Sequence, residues 1–309
     1  MKIINALKSG FLQSAKAWKA TLIITLALLF LISFFTISFK GALKSSLGSS
    51  AVADHLTEGI NIDIVTDLSG TMKSYLSSLS SGLFLVMIAG MLLFTFFSGG
   101  LFNSLKSDQG KFAVSQFFRA SAAYFWPFLG ISIIISVIIG FIIFSLGGII
   151  MGISMAGETA SISGSGIIGI ISVLIMAVVL SVFFLVADYA RAHYSARGGQ
   201  KIFKAIGYGF KMTFGNFIIS VPMMFLLIII QVLFMLLITR LVIVWKPSAG
   251  LAVFLMLIAT QVLFFLRIFL RSWRYASVIA MMEKLEEKAV IPSIITENDI
   301  SVIEKNQLI

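Results

Sequence analysis

The sequence predicts an all-α fold, a polytopic membrane bundle of six transmembrane helices with amphipathic helices lying at the cytoplasmic interface. Three observations predict it. Hydrophobic residues make up 59% of the 309 positions and charged residues only 12%, far from the balance of soluble domains. Six apolar runs, free of charge but for Arg240 near the outer end of the fifth, are long enough to cross a hydrocarbon core of about 30 Å, which takes roughly 20 helical residues. Those runs are far too long for barrel strands, and within lipid only helices or closed barrels satisfy the backbone. The absence of cysteine also excludes a disulfide framework, a thiolate metal site and a cysteine nucleophile.

The spans fall near 20–39, 82–102, 124–149, 166–187, 216–242 and 249–266. The first follows a long basic stretch (Lys2, Lys8, Lys16, Lys19), exceeds a cleaved signal in length and reads as a retained signal anchor. The outer loop 41–81 starts polar and rich in Gly and Ser, then continues as INIDIVTDLSGTMKSYLSSLSSGLF, an interfacial helix leading into the second span. It is too small for a catalytic domain and suits a cap or a partner contact. Gly198 and Gly199 end the fourth helix. Pro247 marks the tight outer turn before the sixth, which continues past the membrane to about Lys288, before Pro292 breaks it. Residues 1–288 thus form one domain and 289–309 a cytoplasmic tail, either disordered or a docking peptide.

Charge sets the orientation. Eighteen of the 23 Lys and Arg residues lie before the first span, between the second and third, between the fourth and fifth, or after the sixth. The other side holds Lys40, Lys44, Lys73, Arg240 and Lys246, balanced by Asp54, Glu58, Asp63, Asp67 and Glu158. By the positive-inside rule both termini are cytoplasmic. The net charge of +10 therefore faces anionic lipid headgroups, and nucleic acid is not needed to explain it.

Before the first, third and fifth spans the chain passes through GFLQSAKAWKATL, KFAVSQFFRASAAYFWPFLG and KIFKAIGYGFKMTFG, aromatic stretches with scattered cations suited to the interface. The second and third align without gaps at an offset of 85: Phe118 with Phe203, Arg119 with Lys204, Ala120 with Ala205, Phe125 with Phe210, Gly130 with Gly215. Two readings are open, internal repetition or the shared composition of interfacial helices.

The stretches FFSGGLF, QFFRASAAYFWPFLGI, DYARAHYSARGG and QVLFFLR resemble a group of uncharacterised bacterial six-span integral membrane proteins. More loosely, an aromatic interfacial helix feeding a span is similar to the membrane domain of some glycerophosphodiester phosphodiesterases, whose hydrolase domain is absent here. The resemblance implies a multi-pass protein of the bacterial cytoplasmic (inner) membrane and transfers no catalytic residue.

Polar residues in or beside the spans are few. Asp188 and Arg191, three apart on one helical face, read as an ion pair at the cytoplasmic end of the fourth span, or as the mouth of a cation pathway. Gln231 and Gln261 lie 16 positions before and 14 after Pro247. That is about 24 and 21 Å of helix, a matched depth for an interhelical polar pair worth about 0.6 kcal/mol. Ser132, Ser136 and Gly140 make a small-residue stripe for close packing. Arg267, Arg271 and Arg274 form one basic face on the last helix, with Trp273 and Tyr275 beside them, for lipid headgroups or a protein partner. Asp54, His55 and Glu58 offer at most a weak metal site; no catalytic residue, metal site or cofactor is expected.

Two function classes follow. One is a non-enzymatic accessory or scaffold subunit of a membrane complex in envelope biogenesis or protein export, with membrane lipids and other membrane proteins as partners. The other is a transporter permease component working with a separate ATPase. No span carries an acidic residue or Lys at its core, which counts against ion-coupled transport.

Overall fold

The computed structural model describes residues 2–47, 70–106, 112–156, 162–198, 201–245 and 250–306. Among the described residues there are eight helices and no strand: α1 (Lys2–Lys16), α2 (Trp18–Leu47), α3 (Gly70–Ser104), α4 (Val114–Ala156), α5 (Ile162–Arg197), α6 (Ile202–Gly215), α7 (Phe217–Val244) and α8 (Gly250–Asn306). Six stretches are long and apolar enough to cross a membrane: Trp18–Ile37, Gly82–Ser104, Val114–Ser145, Leu174–Arg197, Phe217–Val244 and Gly250–Glu287. The chain is an all-α polytopic helix bundle. Residues 48–69 of the outer loop, with Asp54, His55 and Glu58, lie outside the described residues.

Two expectations about helix ends are corrected. Pro292 does not break the last helix, since α8 runs on to Asn306. Proline removes one backbone donor and crowds the carbonyl four residues back, a loss confined to one turn. The segment before the third span is not a separate helix either. It is the first part of α4, continuous through Pro127, whereas α1 and α6 are separated from their spans.

The two separated helices are built alike. The break is one residue, Ala17 in one case and Asn216 in the other. Ala17 N–H bonds Gln13 O, and Ala20 and Thr21 return to Ala17 O. Asn216 N–H bonds Met212 O, and Ile219 and Ser220 return to Asn216 O. Counting back from each break, the buried small residues are Ala6, Gly10 and Ser14 on α1 and Ala205, Gly209 and Thr213 on α6. Each set is a small residue every fourth position, hence one stripe that lets backbones approach. The matching positions of α4 are Ala120, Tyr124 and Phe128, and here the small residues have moved to the partner helix α3 as Gly99 and Gly100.

Each of these segments packs on the returning span of the unit before it: α4 on α3, α6 on α5, and α1 on α8. The last contact joins the first unit to the third and closes a ring. Every crossing is glycine-tight. A Cβ at Gly10 would lie 2.5 Å from Ser277 N and 2.7 Å from its Cα, one at Gly100 would lie 2.6 Å from Phe117 O, and one at Gly209 would collide with Val186 O.

The packed core sits at this ring, at the end of the bundle that carries α1 and α6. Phe102, Phe117, Phe128, Tyr189, Met223 and Tyr275 are all buried there. Helix α8 is its central post, touching α1, α2, α3, α5 and α7, with residues 274–282 buried throughout. Toward the other end the packing thins. Leu251, Phe254 and Leu257 of α8 and Leu236, Ile243 and Val244 of α7 are exposed.

Candidate functional site

The ionic centre of the ring grows from Asp188, one helical turn before Arg191 on α5. Arg191 Nη1 lies 3.1 Å from Asp188 Oδ1, and Arg191 Nη2 donates to Ser132 Oγ at 2.9 Å. Ser132 in turn donates to Phe128 O within α4. The second carboxylate oxygen faces the last helix, with Arg274 Nε 3.1 Å from Asp188 Oδ2. That contact is an ion pair by distance without a directed hydrogen bond, because neither atom has a hydrogen-bond partner. The Asp188 side chain is 1% exposed and that of Arg274 8%, so the pair is held away from water.

Arg271 joins from the next turn of α8. Its guanidinium carbon stands 3.7 Å from the centre of the Phe94 ring on α3, and its Nε donates to Tyr275 Oη at 3.1 Å. The Arg274 guanidinium lies 5.0 Å from the Tyr275 ring and 5.6 Å from that of Phe184, both within cation–π range. Two guanidinium groups, those of Arg191 and Arg274, thus face one carboxylate, and with Arg271 set against Phe94 the contacts tie α3, α4, α5 and α8 together. Among the described residues no group of three or more His, Cys, Asp or Glu could hold a metal ion.

A second set of contacts secures the end of α5. Gly198, at φ 58°, turns the chain and gives its N–H to Tyr194 O, while Ser195 O accepts from Lys106 Nζ at 2.6 Å and Tyr124 Oη at 3.3 Å. These donors satisfy carbonyls that a helix end leaves open, and the cation complements its dipole. Burial pushes the Lys106 ammonium below its usual pKa. Nearby, the Tyr208 ring of α6 stacks on His193 with centroids 3.7 Å apart and donates to Glu286 Oε1 at 2.5 Å. Burial, and then the Glu286 carboxylate, push the Tyr208 phenol above its usual range.

No protein-family model, curated protein or solved structure matches the chain.

The predicted residues divide. Asp188 and Arg191 meet, as part of a larger cluster than one ion pair. The proposed single basic face does not exist as such: Arg267 and Arg271 are exposed, whereas Arg274 is buried against Asp188 because α8 dives through the centre of the ring. Trp273, expected in the headgroup layer, instead donates Nε1–H to Leu7 O and packs edge-on to Phe11 of α1. The polar pair of Gln231 and Gln261 is not formed. Gln231 Nε2 is buried without a partner and Gln261 is exposed, since α7 and α8 pack closely only toward the ring.

The pairing of Arg274 with Asp188 is what the sequence reading missed, and a signal for it exists. Asp188-Tyr189-Ala190 on α5 and Arg274-Tyr275-Ala276 on α8 are the same pattern with opposite charges at the first position. Tyr189 and Tyr275 are both fully buried, and Tyr189 Oη lies 3.0 Å from Ser220 Oγ of α7. The ends of α5 and α8 thus supply the two halves of the central pair.

Proposed function

We propose that this chain is a non-enzymatic accessory or scaffold subunit of a bacterial cytoplasmic-membrane complex, acting in envelope biogenesis or protein export, with the ring and both termini on the cytoplasmic side. The observation that carries the reading is the use made of the buried charges. Asp188, Arg191 and Arg274 bind one another and Ser132, so their role is to lock α4, α5 and α8 into a fixed frame. The exposed Arg267 and Arg271, with exposed Lys204 and Lys211 of α6, suit anionic headgroups and acidic partner surfaces. A second reading, a permease working with a separate ATPase, is favoured by one observation: the buried, unpartnered amide of Gln231 within a loosely packed span.

Native affinity purification of the full chain, with mass spectrometry of what stays bound, tests the choice. Stable recovery with membrane or export proteins, unchanged by ATP, supports the scaffold. Recovery with an ATPase whose association responds to nucleotide supports the permease and overturns the scaffold. Orientation is read separately: cysteine at Lys204 reacts with impermeant thiol reagents only after permeabilisation, and cysteine at Ser163 reacts from outside.

A further inference from the structure

The one-residue break at Ala17 opens the chain between α1 and α2, and the end of α3 and the start of α4 lie beside it. Between them lies a cleft of about 700 Å³. Three lysines line it, Lys16, Lys19 and Lys106, and among the described residues no Asp or Glu does. Lys106 gives one hydrogen bond to Ser195 O, which leaves two of its three donors. Gln13, also in the lining, holds its amide oxygen buried without a partner. Buried polar atoms are rarely left so, and one beside a cleft marks a place for a bonded group. The amide accepts from a donor as drawn and donates to an oxyanion if turned.

The depth of the cleft narrows the ligand. Its lining includes Ala17, adjoining the start of the apolar stretch Trp18–Ile37, and Ser104, the last residue of Gly82–Ser104. It therefore opens at the level where spans meet the polar layer. Phe117 and Leu12 supply an apolar wall beside the cations. A cation-lined cleft with one apolar side at that depth matches an amphiphile whose charge is negative.

We infer that the cleft between the α1–α2 break, the end of α3 and the start of α4 binds a phosphate ester bearing a hydroxyl or ammonium group, supplied by a phospholipid headgroup or by a soluble ester of the same chemistry. The lysines take the phosphate oxygens and Gln13 takes the hydroxyl or ammonium.

Native mass spectrometry of the full chain in detergent, titrated with phosphatidylglycerol and challenged with glycerol phosphate, tests this. Lys16→Gln with Lys19→Gln weakens lipid binding about thirtyfold, and Gln13→Leu about fivefold. Both lysines are exposed, so neutralising them leaves the fold intact, and Lys16→Arg with Lys19→Arg retains binding. Arg197→Gln with Lys284→Gln, two exposed cations outside any proposed lipid surface, removes the same charge and leaves binding unchanged. Lipid retained against millimolar glycerol phosphate identifies a headgroup site; lipid displaced by it, only while Lys16 and Lys19 are present, identifies a soluble ester. Equal losses from the two pairs would mean a diffuse surface effect and overturn the inference, as would no loss from Lys16→Gln with Lys19→Gln.

Discussion

Asp188→Asn removes the carboxylate that Arg191 and Arg274 share while keeping the shape of the side chain. At a charge separation of about 4 Å and an effective dielectric of about 20, each ion pair is attractive by about 4 kcal/mol before desolvation is counted. Desolvation cancels much of that in the intact cluster, so the pair adds little net stability over apolar residues of the same size. Removing one partner is different, because the desolvation of Arg274, 8% exposed, and Arg191, 14% exposed, remains without return. The expected loss is about 3–5 kcal/mol. Arg191→Gln leaves the Asp188–Arg274 pair in place and costs less, about 1–3 kcal/mol. Asp188→Asn combined with Arg274→Met discards both charges of the buried pair, and the two substitutions couple by about 1–3 kcal/mol toward recovery. Equilibrium unfolding of the purified chain in mixed micelles, followed by tryptophan fluorescence, measures all three. An Asp188→Asn variant within about 0.5 kcal/mol of wild type, or strict additivity in the double variant, would refute the account of this cluster as a structural lock.

Gly10→Ala pushes a methyl into the backbone of Ser277 and should cost about 1–3 kcal/mol, releasing α1 from α8; a Trp273 emission and an α1 proteolysis rate equal to wild type would contradict it. Tyr208 has a folded pKa above its unfolded value, so its contribution is full below the unfolded pKa of about 10 and is lost as pH rises through the folded value. The stability gap between wild type and Tyr208→Phe should therefore hold steady to about pH 9 and shrink above about pH 10; a gap constant to pH 11 would be the wrong result. Gln231→Leu replaces a buried unpartnered donor and should be neutral or stabilising by about 1 kcal/mol, with no coupling to Gln261→Leu in a double-mutant cycle. Measurable coupling would restore the interhelical pair.

The class of the fold and the six spans were legible in the sequence, because a run of about 20 apolar residues has one stable arrangement in lipid. So were the helices α1 and α6 that precede the first and fifth spans, which is a local matter of aromatic and cationic spacing. Within α5, Asp188 and Arg191 could be paired because a helix carries residues three apart to one face. Chain contacts between units were not legible in this way. The depths of Gln231 and Gln261 matched, yet depth fixes height along a helix and not the direction of a side chain around it. Arg274 shared a helical face with Arg267 and Arg271 by spacing, but which helix covers that face depends on the closure of α1 onto α8. That closure rests on Gly10 and Ser277, 267 positions apart, and the docking of α6 on α5 rests on Gly209 meeting the Val186 carbonyl. Local periodicity determined which segments are helices and which are apolar; the close backbone approach at three glycine-bearing crossings, a property of the assembled ring, decided which charges were buried together.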